Sequence, residues 1–139
     1  MESLHWINGQ ISRTQNSLYV LNVQLEEKRR ELERLALAYS NLHDFQNEFR
    51  RNEQWCLAPE LSEDTWTGTL ANQFQQWKEN EILQSYVALY NKQLALTMDQ
   101  LNDKLRETKQ SIIDIRMDVT AQNNALDDLY DRQRRELMN

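Results

Sequence analysis

The sequence predicts an all-α protein, an elongated antiparallel two-helix hairpin with a coiled-coil-like seam. Three observations carry that reading. Apolar residues recur at heptad spacing along two long stretches, and only short runs lie outside them. The chain of 139 residues has just 2 glycines and 1 proline, too few for the turns of a β-rich fold. Pro59 and Gly68 both fall in the interval that separates the two stretches.

The first stretch runs from about residue 3 to residue 54. From Leu4 to Phe49 its a and d positions are Leu4, Ile7, Ile11, Thr14, Leu18, Leu21, Leu25, Lys28, Leu32, Leu35, Tyr39, Leu42, Gln46 and Phe49. A frame held that long specifies one amphipathic helix with a single seam. Lys28 can lay its stem along the seam and keep its ammonium in water. Thr14 and Gln46 weaken the seam locally and set register.

The tip spans about residues 55 to 68. Pro59 disfavours helix at Ala58 and ends the first helix before it. Ser62 can cap a new helix whose first turn carries Glu63 and Asp64, the charge that the helix dipole favours there. The second helix then starts before Trp66 or restarts just after Gly68.

The second stretch covers about residues 69 to 137. From Val87 onward one register holds: Val87, Asn91, Leu94, Met98, Leu101, Leu105, Thr108, Ile112, Ile115, Val119, Gln122, Leu126 and Leu129. Phe74 and Trp77 fall outside it, so the phase slips between Trp77 and Val87, as a stutter or kink near Asn80.

Neither helix is apolar on its seam alone. Val20 and Val23 lie off the first seam, and Ile82, Tyr86, Leu89 and Leu96 form a second stripe beside Leu83, Val87, Tyr90, Leu94 and Met98. A helix apolar on most sides is covered by more than one neighbour. A partner, or a second copy of the chain, is expected on Ile82, Tyr86, Leu89, Tyr90, Leu96, Val20 and Val23.

Composition and charge exclude several classes of function. Apolar residues make up 40% and charged residues 27%, which suits helices that bury one stripe each. The net charge of -6 repels phosphates and anionic membranes, so neither nucleic acid nor a membrane surface is an expected partner. No apolar run is long enough to span a bilayer, and residues 1 to 6 lack the pattern of a cleavable signal peptide. The chain is expected in the cytoplasm, with any export by a route that reads no classical signal.

Residues that carry chemistry are scattered. His5 and His43 have no Cys or His at metal-ligand spacing. Cys56 is the only cysteine and reads as a half-buried thiol near the tip. Glu26 can pair with Arg30 on a solvated helix face. Paired catalytic carboxylates need a shaped cleft, which a two-helix rod lacks, and Gly9 and Gly68 form no phosphate loop. No catalytic, cofactor or metal site is expected, and the protein is read as a non-enzyme.

Phe45-Gln46-Asn47-Glu48-Phe49, Pro59-Glu60-Leu61-Ser62 and Thr65-Trp66-Thr67-Gly68-Thr69-Leu70-Ala71-Asn72-Gln73-Phe74 resemble one bacterial group. These are the small helical proteins encoded beside LXG-type polymorphic toxins in Gram-positive bacteria, within the W-x-G superfamily of type VII secretion substrates. The resemblance covers roughly a third of the chain. It implies a helical hairpin with the W-x-G near the bend, in which Trp66, Gly68 and Phe74 are the motif residues. It also implies a chaperone or targeting subunit that binds the N-terminal helical domain of the toxin and presents it to the secretion machinery. Related substrates carry an aromatic followed four residues later by an acid. Here Tyr130 is followed by Arg134, which leaves the export signal to the toxin or to a second small helical partner. The competing reading is a homo-oligomeric coiled-coil scaffold or adaptor.

Overall fold

A computed structural model describes residues 3 to 57 and 68 to 139. The chain is an all-α helical hairpin. Its first arm is α1 (Leu4–Arg51), followed by a short 3-10 helix (Glu53–Leu57). Its second arm comprises α2 (Thr69–Trp77), a π-helical segment (Lys78–Leu83), α3 (Gln84–Ala88), a second π-helical segment (Leu89–Leu94) and α4 (Ala95–Met138). The junction residues Lys78, Gln84, Leu89 and Ala95 keep right-handed helical dihedrals, so the arm runs on through both π segments. Packing divides the hairpin into a terminal unit (Met1–Arg34 with Leu105–Asn139) and a central unit (Leu35–Lys104).

α1 begins where the chemistry of capping puts it. The Ser3 hydroxyl accepts a bond from the Trp6 amide at 3.1 Å, and the Ser3 carbonyl accepts one from Ile7 at 3.1 Å. Arg50 and Arg51 close the helix where its dipole favours cations. The α-helix thus stops earlier than residue 54. Asn52 makes a turn, and the 3-10 helix takes over. Every seam position from Ile7 to Phe49 is buried or half-buried, and Leu4 at the end is exposed. Thr14 tolerates burial because its hydroxyl donates to its own helix, to the Gln10 carbonyl at 2.8 Å. Lys28 is half-buried and its ammonium meets Glu31 at 3.3 Å. Glu26 pairs with Arg29 at 2.8 Å, one position earlier than Arg30, because three residues on also lies on the same helix face.

The second arm restarts after Gly68. That glycine has φ 104 and ψ -169, a region that only glycine occupies without strain. Its carbonyl accepts the first helical bond, from Asn72 at 3.1 Å. An added Cβ would meet no atom within 4 Å, so the backbone angle alone requires glycine here. Gly68→Ala is expected to lower stability by about 1–3 kcal/mol. Urea unfolding followed by circular dichroism measures this, and an unchanged midpoint would remove the need for that angle. The expected cap at Ser62, and Pro59 and Trp66, lie outside the described residues.

The two π segments explain the phase slip. From Lys78 to Met98 the inward residues recur every fourth position: Lys78, Ile82, Tyr86, Tyr90, Leu94 and Met98 are all buried or half-buried. An α-helix turns about 100° per residue, so a strict four-residue spacing drifts about 40° per step and about 200° across the segment. Each π segment takes in one extra residue, about 100°. Two of them cancel the drift. An unbroken α-helix would instead carry the frame of Leu94 and Met98 back through Asn91, Val87, Gln84, Asn80, Trp77, Gln73 and Leu70, four of them amides. Burying an amide without a partner costs about 1–3 kcal/mol, so four of them make the α-only register the poorer choice. The first π segment contains Asn80, where the slip is expected. The second changes the seam itself: Asn91 is exposed and Tyr90 is buried in its place.

Within the terminal unit the arms are antiparallel. Ile7 and Ile11 cluster with Leu129, and Leu126 packs against them. Gln133 donates to Asn8 at 2.8 Å and Gln15 to the Tyr130 hydroxyl at 2.9 Å.

Candidate functional site

The central unit holds most of the residues that the sequence singles out. Tyr90 is only 6% exposed and is held from several sides. Its hydroxyl donates to Glu53, its carbonyl accepts from Gln46 Nε2 at 2.9 Å, and the Arg50 guanidinium lies 5.5 Å from its ring centroid. Gln46 is therefore a buried cross-arm donor, matched to the register that the second π segment creates. Tyr86 lies between Phe49 (ring centroids 5.3 Å apart) and Tyr90 (6.2 Å, edge-on).

Both phenols are held above their ordinary value of 10.0. For Tyr90 the hydrogen bond to Glu53 is the main cause, with burial and the Glu53 charge adding to it and Arg50 opposing. For Tyr86 burial comes first, then the charges of Cys56 and Glu53. A raised phenol favours its neutral form in the fold. Its contribution is whole below pH 10 and fades as pH climbs further.

These contacts correct the expectation of a second outward stripe. At α-helical spacing Ile82, Tyr86, Leu89 and Leu96 share a face. The π insertions rotate them apart. Ile82 and Tyr86 turn toward the seam, Tyr90 is sealed inside, Leu89 sits at the margin, and Leu96 alone points well outward at 60% exposure. Tyr90 is thus part of the hairpin's own interior and offers nothing to a partner in this conformation.

The end of the unit is organised by Lys78, a residue with no functional signal in the sequence. It is 2% exposed. Its ammonium donates to the Leu57 carbonyl and lies 5.3 Å from the centroid of the Phe74 ring. It thereby ties the 3-10 helix to the second arm. Its spacing was the available clue, four residues after Phe74 and seven after Ala71, which is also buried. Phe74 is half-buried, its ring 6.0 Å from that of Trp77. Gly68 is exposed at the head of α2. Cys56 is a free, half-buried thiol. Leu70, Trp77 and Trp55 are exposed apolar side chains that sequence reasoning did not single out. Against expectation, Trp77 does continue the Val87 register at α-helical spacing, as Leu70 does, and the π register turns both outward.

In the terminal unit Val20 and Val23 are both exposed, one turn apart on α1, next to Tyr19. On α4 Ile113 and Met117 are exposed at the same kind of spacing, four residues apart. They lie off the seam frame and could have been found by listing apolar residues outside it. His5 is exposed, and His43 Nδ1 lies 3.4 Å from Asn47 of its own helix. Among the described residues no three His, Cys, Asp or Glu side chains group as metal ligands, and no helix is long and apolar enough to cross a membrane.

Comparison of the chain with protein-family models, curated proteins and solved structures found no match.

Proposed function

We propose that this protein is a non-enzymatic helical partner, a chaperone or targeting subunit that binds the helical N-terminal domain of an LXG-type toxin for type VII secretion. One observation carries the reading. The seam of the hairpin is already filled by its own arms, yet Val20, Val23, Leu96, Ile113 and Met117 stay outside it on regular helices. Single exposed apolar residues are ordinary, but pairs one turn apart on rigid helices form the anchors of helix-to-helix docking. The W-x-G resemblance supplies the class of partner. Gly68 supports it, since the restart of the second arm depends on a backbone angle that glycine permits. A second small helical protein and the secretion machinery are further partners on this reading.

The test is co-expression with the N-terminal domain of a toxin encoded beside this protein. A stable complex is expected on size exclusion, and Trp66→Ala in the producing bacterium should reduce toxin export. Two proteins that elute separately, with export unchanged by Trp66→Ala, would sink the proposal. Light scattering on the isolated chain separates this reading from the scaffold. A stable dimer or tetramer that ignores the toxin would favour the scaffold.

A further inference from the structure

The terminal unit contains a groove of about 460 Å³ whose lining is mismatched with its surroundings. Its apolar lining is Val20 and Leu21 of α1. Asn16, Ser17 and Gln24 of α1 and Asp118 and Gln122 of α4 complete it. On α1 the seam is buried at Ile7, Ile11 and Thr14, and again at Leu25. Between them Leu18 and Leu21 are only half-buried, as are Val119 and Gln122 on α4. Within the terminal unit the seam is buried on either side of this stretch and half-buried along it. Val20 beside it is 51% exposed.

The charge of the groove points to what covers it. Asp118 is the only charged residue in the lining. Its own helix offers no cation at three or four residues' distance, where Asp114, Ile115, Ala121 and Gln122 stand. The α1 wall is entirely uncharged. A helix that placed a cation beside Asp118 would find apolar contact on Val20 and Leu21 and amides at Asn16, Gln24 and Gln122 to bond.

We infer that this groove docks an amphipathic helix of the partner protein, one that lays a branched apolar side chain on Val20 and Leu21 and reaches Asp118 with an arginine or lysine. The inference rests on the reading of the protein as a toxin partner and names the contact. A second copy fits less well. A two-fold pairing through this groove would bring two Asp118 carboxylates into one interface, with no cation in either lining.

The experiment measures the affinity of the purified toxin domain for four forms of the full chain by titration calorimetry: wild type, Val20→Asp, Asp118→Lys and Asp118→Asn. Val20→Asp and Asp118→Lys should each weaken binding by about ten-fold or more, and Asp118→Asn should weaken it less and flatten its salt dependence. Leu137→Ala, an exposed apolar change on the same helix outside the groove, should leave the affinity alone. Both positions are on the helix surface, so circular dichroism should show unchanged melting; if Val20→Asp melts early, the isosteric Asp118→Asn decides. A complex that forms with wild-type affinity in all the groove variants overturns the groove and spares the functional reading. No complex with the wild-type chain overturns both. A dimer of the chain alone that Val20→Asp dissolves would assign the groove to a second copy and overturn the partner helix.

Discussion

Lys78→Glu should destabilise the protein by about 3–5 kcal/mol, the scale on which an uncompensated buried charge acts. Lys78 is almost fully enclosed, its ammonium bonded to the Leu57 carbonyl and facing the Phe74 ring. A carboxylate there would meet a carbonyl oxygen and the negative face of an aromatic ring, and would lose its own hydration. Lys78→Met separates charge from packing. It keeps an apolar stem of similar length and leaves the Leu57 carbonyl without its donor, at a cost of about 1–3 kcal/mol. Urea unfolding of the two variants should therefore rank them well apart. Equal and small losses would mean that Lys78 is not the tie between the 3-10 helix and the second arm.

Ile7→Ala should cost about 2–5 kcal/mol. Ile7 is 0% exposed and sits with Ile11, Leu126 and Leu129 in the cluster that joins the first turns of α1 to the last turns of α4. A hairpin has no deeper layer from which to refill the cavity, because each seam residue has solvent-facing neighbours on both helices. Leu137→Ala, at an exposed position of the same α4, should stay within about 0.5 kcal/mol. Thermal melts of both variants test this, and comparable small shifts would show that the ends of the arms contribute little to the fold.

The sequence made the first arm readable almost residue by residue, because a 3.5-residue repeat held over its whole length leaves one solution for the seam. The terminal half of the second arm was readable for the same reason. The segment from Lys78 to Met98 was legible only as a fault in the frame. Its four-residue spacing looks like two α-helical stripes, and π geometry makes it one. That difference moved Tyr90 from a surface candidate to the interior and put Asn91 in water. Gly68 was legible as a breaker, but its role as the residue that caps the second arm needed its dihedral. Lys78 was hidden because a lysine on a polar helix reads as solvated, and only its spacing from Ala71 and Phe74 places it inside. The groove at Val20 was half legible. The valines off the seam showed in the pattern, while the unmatched charge of Asp118 appears only when both arms are brought side by side.

On the proposed function, the filled seam belongs to the hairpin and the outward residues belong to a partner. Amide hydrogen exchange on the complex with the toxin domain tests that division most directly. Protection should rise around Val20 to Val23, around Leu96 and on the Asp118 turn, while the seam around Ile7, Gln46 and Tyr90, already closed in the free chain, should change little. Protection that appears only at the already buried seam, with the outward segments exchanging as in the free protein, would contradict it.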